Sequence, residues 1–286
     1  MLSGDRLPKE LKMSEKNYLH VKNDAVFHMI FADERNQDIL ISFLKSVLRL
    51  PDDDYNEIII TDPHLLRDYK GDKLSIIDVK LRTKNGKIIH IEIQLKVTSE
   101  LQERIIFYDS KLITEQLGTG DDYKEINQVI SIIITEETLI KDSGGYHHRF
   151  TFYDSDAKIE FSNIIEIHTL ELSKLPERAD GTLLYDWAKF IDAETEEEIN
   201  MVAERNPEVK KAVVRLEVLS GDERARYIAD MQEKARRDMA SFRRDGIAEG
   251  RENEKISIAK NLLAEGSTLE FIQKITGLSL EQIEKL

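Results

Sequence analysis

The segment LSIIDVKLRTKNGKIIHIEIQLK, residues 74–96, decides the fold, because two runs of alternating residues flank a short polar turn. Alternation with a period of two is typical of β-strands that have one buried face. Lys84, Asn85 and Gly86 form the turn, and Gly86 can supply a left-handed backbone position. The segment therefore predicts a β-hairpin with a three-residue loop.

The loop length fixes which residues of the two predicted strands lie opposite each other. One face of the hairpin is then aliphatic, with the pairs Ile77–Ile93, Val79–Ile91 and Leu81–Ile89. The other face is mostly polar, with the pairs Asp78–Glu92, Lys80–His90 and Ile76–Gln94. A slip of one residue would place charges opposite aliphatic side chains along the whole ladder, which favours the three-residue loop.

Asp78 and Glu92 are predicted to face each other, with their Cβ atoms about 5 Å apart. Two half-buried carboxylates at that separation need a shared proton or a cation. Oxygen ligands favour Mg²⁺ or Mn²⁺, which can polarise a phosphate and generate a nucleophile from water. Gln94 and Lys96 follow on the same face of the strand and could orient that water. The alternative is an ordinary hairpin with a solvated polar face.

The rest of the chain predicts an α/β domain followed by helices. Residues 21–175 have the order α-α-β-β-β-α-β-β-β, typical of a mixed central sheet flanked by helices. Residues 1–20 are predicted to form an N-terminal arm. Residues 176–265 contain no strand-like alternation and predict an all-helical region, and residues 266–286 predict a short helix-turn-helix-like tail.

The composition restricts the classes of function. The chain of 286 residues has no Cys, which excludes disulfides and cysteine nucleophiles and suits a reducing cytoplasm. No apolar signal core and no run long enough to span a membrane is visible, so we expect a cytoplasmic protein without a membrane partner. A net charge of −14 argues against coating nucleic acid by charge alone, but not against a metal-dependent enzyme.

Several segments in order resemble the PD-(D/E)xK nucleases, and in particular the branch described as PD-(D/E)xK nuclease family transposases, or recombination-promoting nucleases. They are KNDAVFHMIF (22–31), IIDVK with NGKIIHIEIQLK (76–96), ERIIFYDSKLITEQLGTGDDY (103–123), VISIIIT (129–135) and IIEIHTLEL (164–172). The resemblance implies a restriction-endonuclease-like core. It also implies Mg²⁺-dependent hydrolysis of DNA phosphodiester bonds by an endodeoxyribonuclease associated with recombination.

The resemblance gives Asp78 and Glu92 the metal-ligand roles and makes them catalytic candidates together with Gln94 and Lys96. Gln94 stands where the wider superfamily has its lysine, which is a departure from the parent motif. Lys96 could substitute by reaching back, and Lys80 is the other candidate. Either lysine could instead be a solvated strand residue.

Two helices offer further candidates. The superfamily often adds an acid from the first helix, which here would be Asp24. The alternative role for Asp24 is the N-cap of that helix, for which Asn23 is the other candidate. In the helix after the hairpin, Arg104, Tyr108, Lys111 and Glu115 share one face. Arg104 and Lys111 could receive DNA phosphates, with Tyr108 stacking beside them. A solvated face is the alternative.

The C-terminal segment STLEFIQKITGLSLEQIEKL, residues 267–286, predicts two short helices around a turn at Gly277. Its apolar residues are expected to bury together: Leu269, Ile272, Ile275, Leu278, Ile283 and Leu286. DNA contact, oligomerisation through the helical C-terminal region, and simple capping all remain open for it.

Two alternatives to an active nuclease stay open. One is a catalytically inactive DNA-binding or protein-interaction module that keeps the nuclease fold. The other is a transcription regulator acting through the C-terminal helices.

Overall fold

The computed structural model describes residues 18–61 and 78–286 of the chain, and within them a mixed six-stranded sheet is the central element. The strand order is β1-β2-β3-β4-β6-β5, in which β3, β4 and β6 are parallel and the other pairs antiparallel. The strands are β1 (Ile58–Thr61), β2 (Val79–Thr83), β3 (Ile88–Gln94), β4 (Val129–Thr135), β5 (His147–Asp154) and β6 (Ile159–Glu171).

Helices cover both faces of the sheet. The helices of the described residues are α1 (Asp24–Phe31), α2 (Gln37–Val47), α3 (Leu101–Thr114), α4 (Leu183–Asp192), α5 (Glu196–Arg205), α6 (Pro207–Gly221), α7 (Glu223–Ala264), α8 (Leu269–Thr276) and α9 (Leu280–Glu284). Helices α1, α2, α4, α5 and α6 form the main core with one sheet face, whereas α3 packs on the opposite face. The predicted element order and the helical C-terminal region are confirmed.

The chain divides into two compact units, one reaching Ala229 and one from Asp230 to Leu286. Within the described part of the chain, no helix combines the length and apolar character needed to cross a membrane.

The predicted register of the β2–β3 hairpin is confirmed where it can be followed. Its described pairs are Val79–Ile91, Lys80–His90, Leu81–Ile89 and Arg82–Ile88. Val79, Leu81, Ile89 and Ile91 lie in the main core, and the last three of these are fully buried. Ile88 packs on the other face of the sheet, with Leu112 of α3. Ile76 and Ile77, for which partners were also predicted, lie outside the described residues.

The hairpin turn is held by a buried carboxylate from an earlier segment. Asp54 is fully buried and accepts hydrogen bonds from Thr83 Oγ1 at 3.2 Å, Asn85 Nδ2 at 3.0 Å and Lys87 Nζ at 2.7 Å. Gly86 has φ of +84°, and a Cβ there would lie 2.4 Å from Asn127 Oδ1. The turn therefore requires glycine at position 86, and the hydrogen bonds accepted by Asp54 hold the turn in place.

The C-terminal unit contains a small core of its own. Ile272, Leu278 and Ile283 are buried together with Ala259, which belongs to α7. Gly277 ends α8 in the left-handed conformation, as predicted for the turn. The expectation that Ile275 and Leu286 would also be buried was wrong, since they are 55% and 39% exposed; the buried positions instead face the last turns of α7.

We expect Asp54→Ala to lower the free energy of unfolding by about 2–4 kcal/mol, because three buried or half-buried donors, one of them charged, lose their acceptor. Urea denaturation measures this change. Asp52→Ala is the matched control, because Asp52 belongs to the same short 3₁₀ segment but is exposed, and its ion pair with Lys45 lies in solvent. We expect it to leave the unfolding curve nearly unchanged. Equal losses in both variants would contradict the role of Asp54.

Candidate active site

Asp78 lies immediately before β2, and its carboxylate is bound to the neighbouring strand. Its Oδ2 accepts a hydrogen bond from the backbone N–H of Ile93 at 2.7 Å. Burial raises the pKa of Asp78 to about 7; this bond lowers it, and the nearby carboxylates of Asp24 and Glu92 raise it further. Asp78 and Glu92 are thus close enough to repel each other, as their opposed positions predict.

Glu92 is the more deeply buried member of the pair. Its side chain lies on the sheet face that α3 covers, because it alternates with Ile91 and Ile93, which belong to the main core. The residue is 3% exposed, and burial raises the pKa of its carboxyl group. Its Oε2 atom accepts no hydrogen bond from any residue of the described ranges. An ionised carboxylate in this position requires a positive charge beside it.

The first helix contributes a third acid to this region. Asn23, and not Asp24, is the N-cap of α1, because the Asn23 side chain accepts from the N–H groups of Ala25 and Val26. Of the two N-cap candidates, Asn23 is therefore confirmed, and Asp24 as the cap was wrong. Asp24 occupies the first turn of α1, and its charge acts on Asp78.

A buried polar cluster lies beside Glu92 and joins the sheet to α3. His90 Nε2 lies 2.8 Å from Asp109 Oδ1 and 2.5 Å from Ser131 Oγ, and Ser131 also donates to Asp109. All three residues are essentially inaccessible to solvent. Sequence reasoning missed Asp109, although it interrupts the buried stripe of α3 formed by Leu101, Ile105 and Leu112. A carboxylate at such a position signals a buried polar partner.

The lysine candidates lie in different surroundings. Lys80 Nζ is 3.5 Å from Glu115 Oε2, and both side chains are 15% exposed. Gln94 is the last residue of β3 and is half-buried. Lys96 lies beyond the end of β3 and is exposed, so strand alternation does not determine where its side chain points. The catalytic roles of Gln94 and Lys96 stay predictions.

The predicted polar face of α3 turns partly toward the sheet. Arg104 Nη2 lies 3.6 Å from Glu92 Oε2, so this residue belongs to the carboxylate site. Tyr108 is half-buried and packs beside Leu112, and the Arg104 guanidinium lies 6.0 Å from its ring. Lys111 Nζ lies 5.5 Å from the Phe107 ring. DNA contact by Arg104, Tyr108 and Lys111 stays a prediction.

The residues of the site suit a hard divalent cation. Asp78 and Glu92 supply two desolvated carboxylates, and one Glu92 oxygen is buried without a hydrogen-bond donor among the described residues. No group of three or more His, Asp or Glu side chains in residues 18–61 and 78–286 is arranged to hold a metal ion. Mg²⁺ is commonly held by one or two carboxylates with waters or phosphates in its other positions. The donor set therefore fits a hard divalent cation.

The mixed sheet, with the carboxylates of Asp78 just before β2 and of Glu92 in β3, defines a nuclease-like domain of the restriction-endonuclease kind. Residues 21–246 match the family profile described as PD-(D/E)XK nuclease family transposase, and the chain belongs to this family. Residues 252–286 match the Rpn/YhgA-like nuclease family, C-terminal HTH domain. No curated protein and no solved structure matches the chain. The family and the predicted fold class are thereby confirmed.

We expect the ionisation of Asp78 to destabilise the folded protein when metal ions are chelated. Its pKa is about 7 in the folded state and 3.8 as the ordinary value, so the folded state binds more protons between these limits. The contribution of this group to stability therefore falls as the pH rises from about 4 to above 7. Asp78→Asn should remove that dependence and raise the free energy of unfolding at pH 8 by about 2–4 kcal/mol.

Urea unfolding in EDTA at several pH values measures this effect. Asp142→Asn, which changes an exposed carboxylate outside the site, is the control. Parallel stability curves for wild type and Asp78→Asn from pH 4 to 8 would contradict the perturbed titration of Asp78.

Proposed function

We propose that this protein is a metal-dependent DNA endonuclease that hydrolyses phosphodiester bonds and acts in recombination or transposase-like reactions. The observation that supports this function is the pair of desolvated carboxylates in a PD-(D/E)XK nuclease family domain, with Asp78 immediately before β2 and Glu92 in the neighbouring β3. Such a pair is costly without a cation.

In the proposed reaction, a water oxygen forms a bond to phosphorus and the bond from phosphorus to one deoxyribose oxygen breaks. One proton of that water ends on the released deoxyribose oxygen, and the other leaves to solvent when the new phosphate group ionises. Asp78 and Glu92 would hold Mg²⁺ or Mn²⁺, which supplies Lewis-acid stabilisation of the phosphate and a more acidic water.

The protein's own groups set the electrostatics of this reaction. The Ile93 N–H holds the Asp78 carboxylate in place. The buried hydrogen bond between His90 and Asp109 fixes α3 beside Glu92. Asp24 adds negative charge at Asp78, which favours binding of a cation there. Gln94, Lys96 and Lys80 remain the candidates for orienting water or contacting the phosphate.

The C-terminal unit is a second element that could touch DNA, and its match to an HTH domain favours this. The charge of residues 252–286 opposes contact with DNA, because this segment contains six Glu against four Lys. A fragment of residues 250–286, which includes the small core around Ile272, tests direct DNA contact. The same region is the candidate surface for a homo-oligomer.

We expect the wild-type protein to nick supercoiled plasmid DNA in Mg²⁺ or Mn²⁺ and to lose this activity in EDTA. Asp78→Asn and Glu92→Gln should each reduce the nicking rate by about 100-fold or more, since each removes one charge from the cation site. Gel assays with the exposed Asp142→Asn variant, purified in parallel, control for contaminating nucleases.

Equal nicking by wild type and both site variants would place the activity elsewhere. DNA binding without cleavage in any divalent ion, and without measurable Mg²⁺ or Mn²⁺ affinity, would instead favour the inactive DNA-binding or protein-interaction module.

A further inference from the structure

Arg104 lies at the boundary between the buried carboxylates and solvent. Its Nη2 atom is 3.6 Å from Glu92 Oε2, and its side chain is 36% exposed, whereas that of Glu92 is 4% exposed. The guanidinium also acts electrostatically on Asp78. The Arg104 side chain therefore contacts a buried carboxylate and is itself partly open to solvent.

The other cations close to the site are differently placed. Lys80 is engaged by Glu115, and Lys96 follows the end of β3 in an exposed segment. Gln94, at the position where the D/E-x-K spacing would put lysine, carries no charge. Among the described residues, Arg104 is the lysine or arginine found in contact with Glu92.

The contact between Arg104 and Glu92 leaves the guanidinium able to bind a second anion. At 3.6 Å it is longer than a hydrogen bond, so it is an attraction between charges and not a bidentate pair. The Tyr108 ring, one turn further along α3, lies 6.0 Å away and limits where the guanidinium can move. A guanidinium on a side chain that is 36% exposed suits the oxygens of a phosphodiester.

We propose that Arg104 contacts the phosphate group that is cleaved, supplying from α3 the positive charge that Gln94 does not supply from β3. This role rests on the proposed nuclease function. The phosphate oxygens gain negative charge as water attacks, and a fixed guanidinium beside them stabilises that charge. Arg104 is then a catalytic residue, and Tyr108 is a positioning residue for it.

The test compares Arg104→Gln, Arg104→Lys and Lys124→Gln in the full chain. Lys124→Gln removes the same charge from an exposed position between α3 and β4 that has no proposed role in the site, and is the matched control. We expect Arg104→Gln to lower kcat for plasmid nicking by about 30- to 100-fold. Arg104→Lys should recover part of the rate because the charge is kept, and Lys124→Gln should stay within about threefold of wild type. Urea unfolding verifies that each variant folds.

A second measurement separates this role from a merely structural one. Mn²⁺ binding is followed by electron paramagnetic resonance at pH 8.5, without DNA. Arg104→Gln should bind Mn²⁺ at least as tightly as wild type, because a competing cation has been removed from Glu92. If Arg104 only held Glu92 in place, Mn²⁺ affinity would fall together with the nicking rate.

Either of two results overturns the role of Arg104 while leaving the nuclease function intact. One is nicking by Arg104→Gln within about threefold of a wild type that nicks; the other is a parallel loss of Mn²⁺ affinity and rate. A wild-type protein that neither binds Mn²⁺ nor nicks DNA would overturn the nuclease function itself, and the role of Arg104 with it.

Discussion

The carboxyl groups of Asp78 and Glu92 lie close together on one face of the β2–β3 hairpin. The other face of the hairpin packs in the main core. Burial raises the pKa of both, so the ionised pair depends on positive charge and N–H donors placed around it. The Ile93 N–H and the Arg104 guanidinium are the groups that meet this need. A slip of one residue would drive the carboxylates into the aliphatic core, so the register must be fixed.

The position of α3 follows from the same constraint. This helix carries exposed Ile106 and Phe107 on its outer side, and its inner side is not uniformly apolar. Polar contacts therefore fix it: Asp109 binds His90, and Glu115 pairs with Lys80. Hydrogen bonds are directional, so they define the placement of the helix more narrowly than apolar packing does. The location of Arg104 beside Glu92 is a consequence of that docking.

Local pattern was sufficient to predict the hairpin, because its register depends only on alternation within the strands and on Gly86 in the turn. It was not sufficient for Asp54, which stands in an acidic run that resembles a solvated turn, yet binds Thr83 and Lys87 far along the chain. A contact between residues so far apart in the chain produces no periodic pattern in the sequence, so the sequence pattern did not predict it.

The same limit applies to the surroundings of the site. The burial of Asp109 could have been predicted from the sequence, because the residue occupies an apolar stripe of α3. Its partner His90 could not, because it lies on another element. The predicted burial of Ile275 was wrong for a different reason. Apolar residues occur on more than one side of α8, and periodicity does not reveal which side another helix covers.

The acidic character of the chain is consistent with a site that depends on a few local charges. With a net charge of −14, the protein as a whole repels DNA at long range. In the proposed function, recognition of phosphate would come from cations within a few ångströms, because ions screen longer interactions at physiological salt. Arg104 and a divalent ion at Asp78 and Glu92 would provide such charges. On this view the acidic surface opposes nonspecific binding, and the site itself determines where the backbone of DNA can come close.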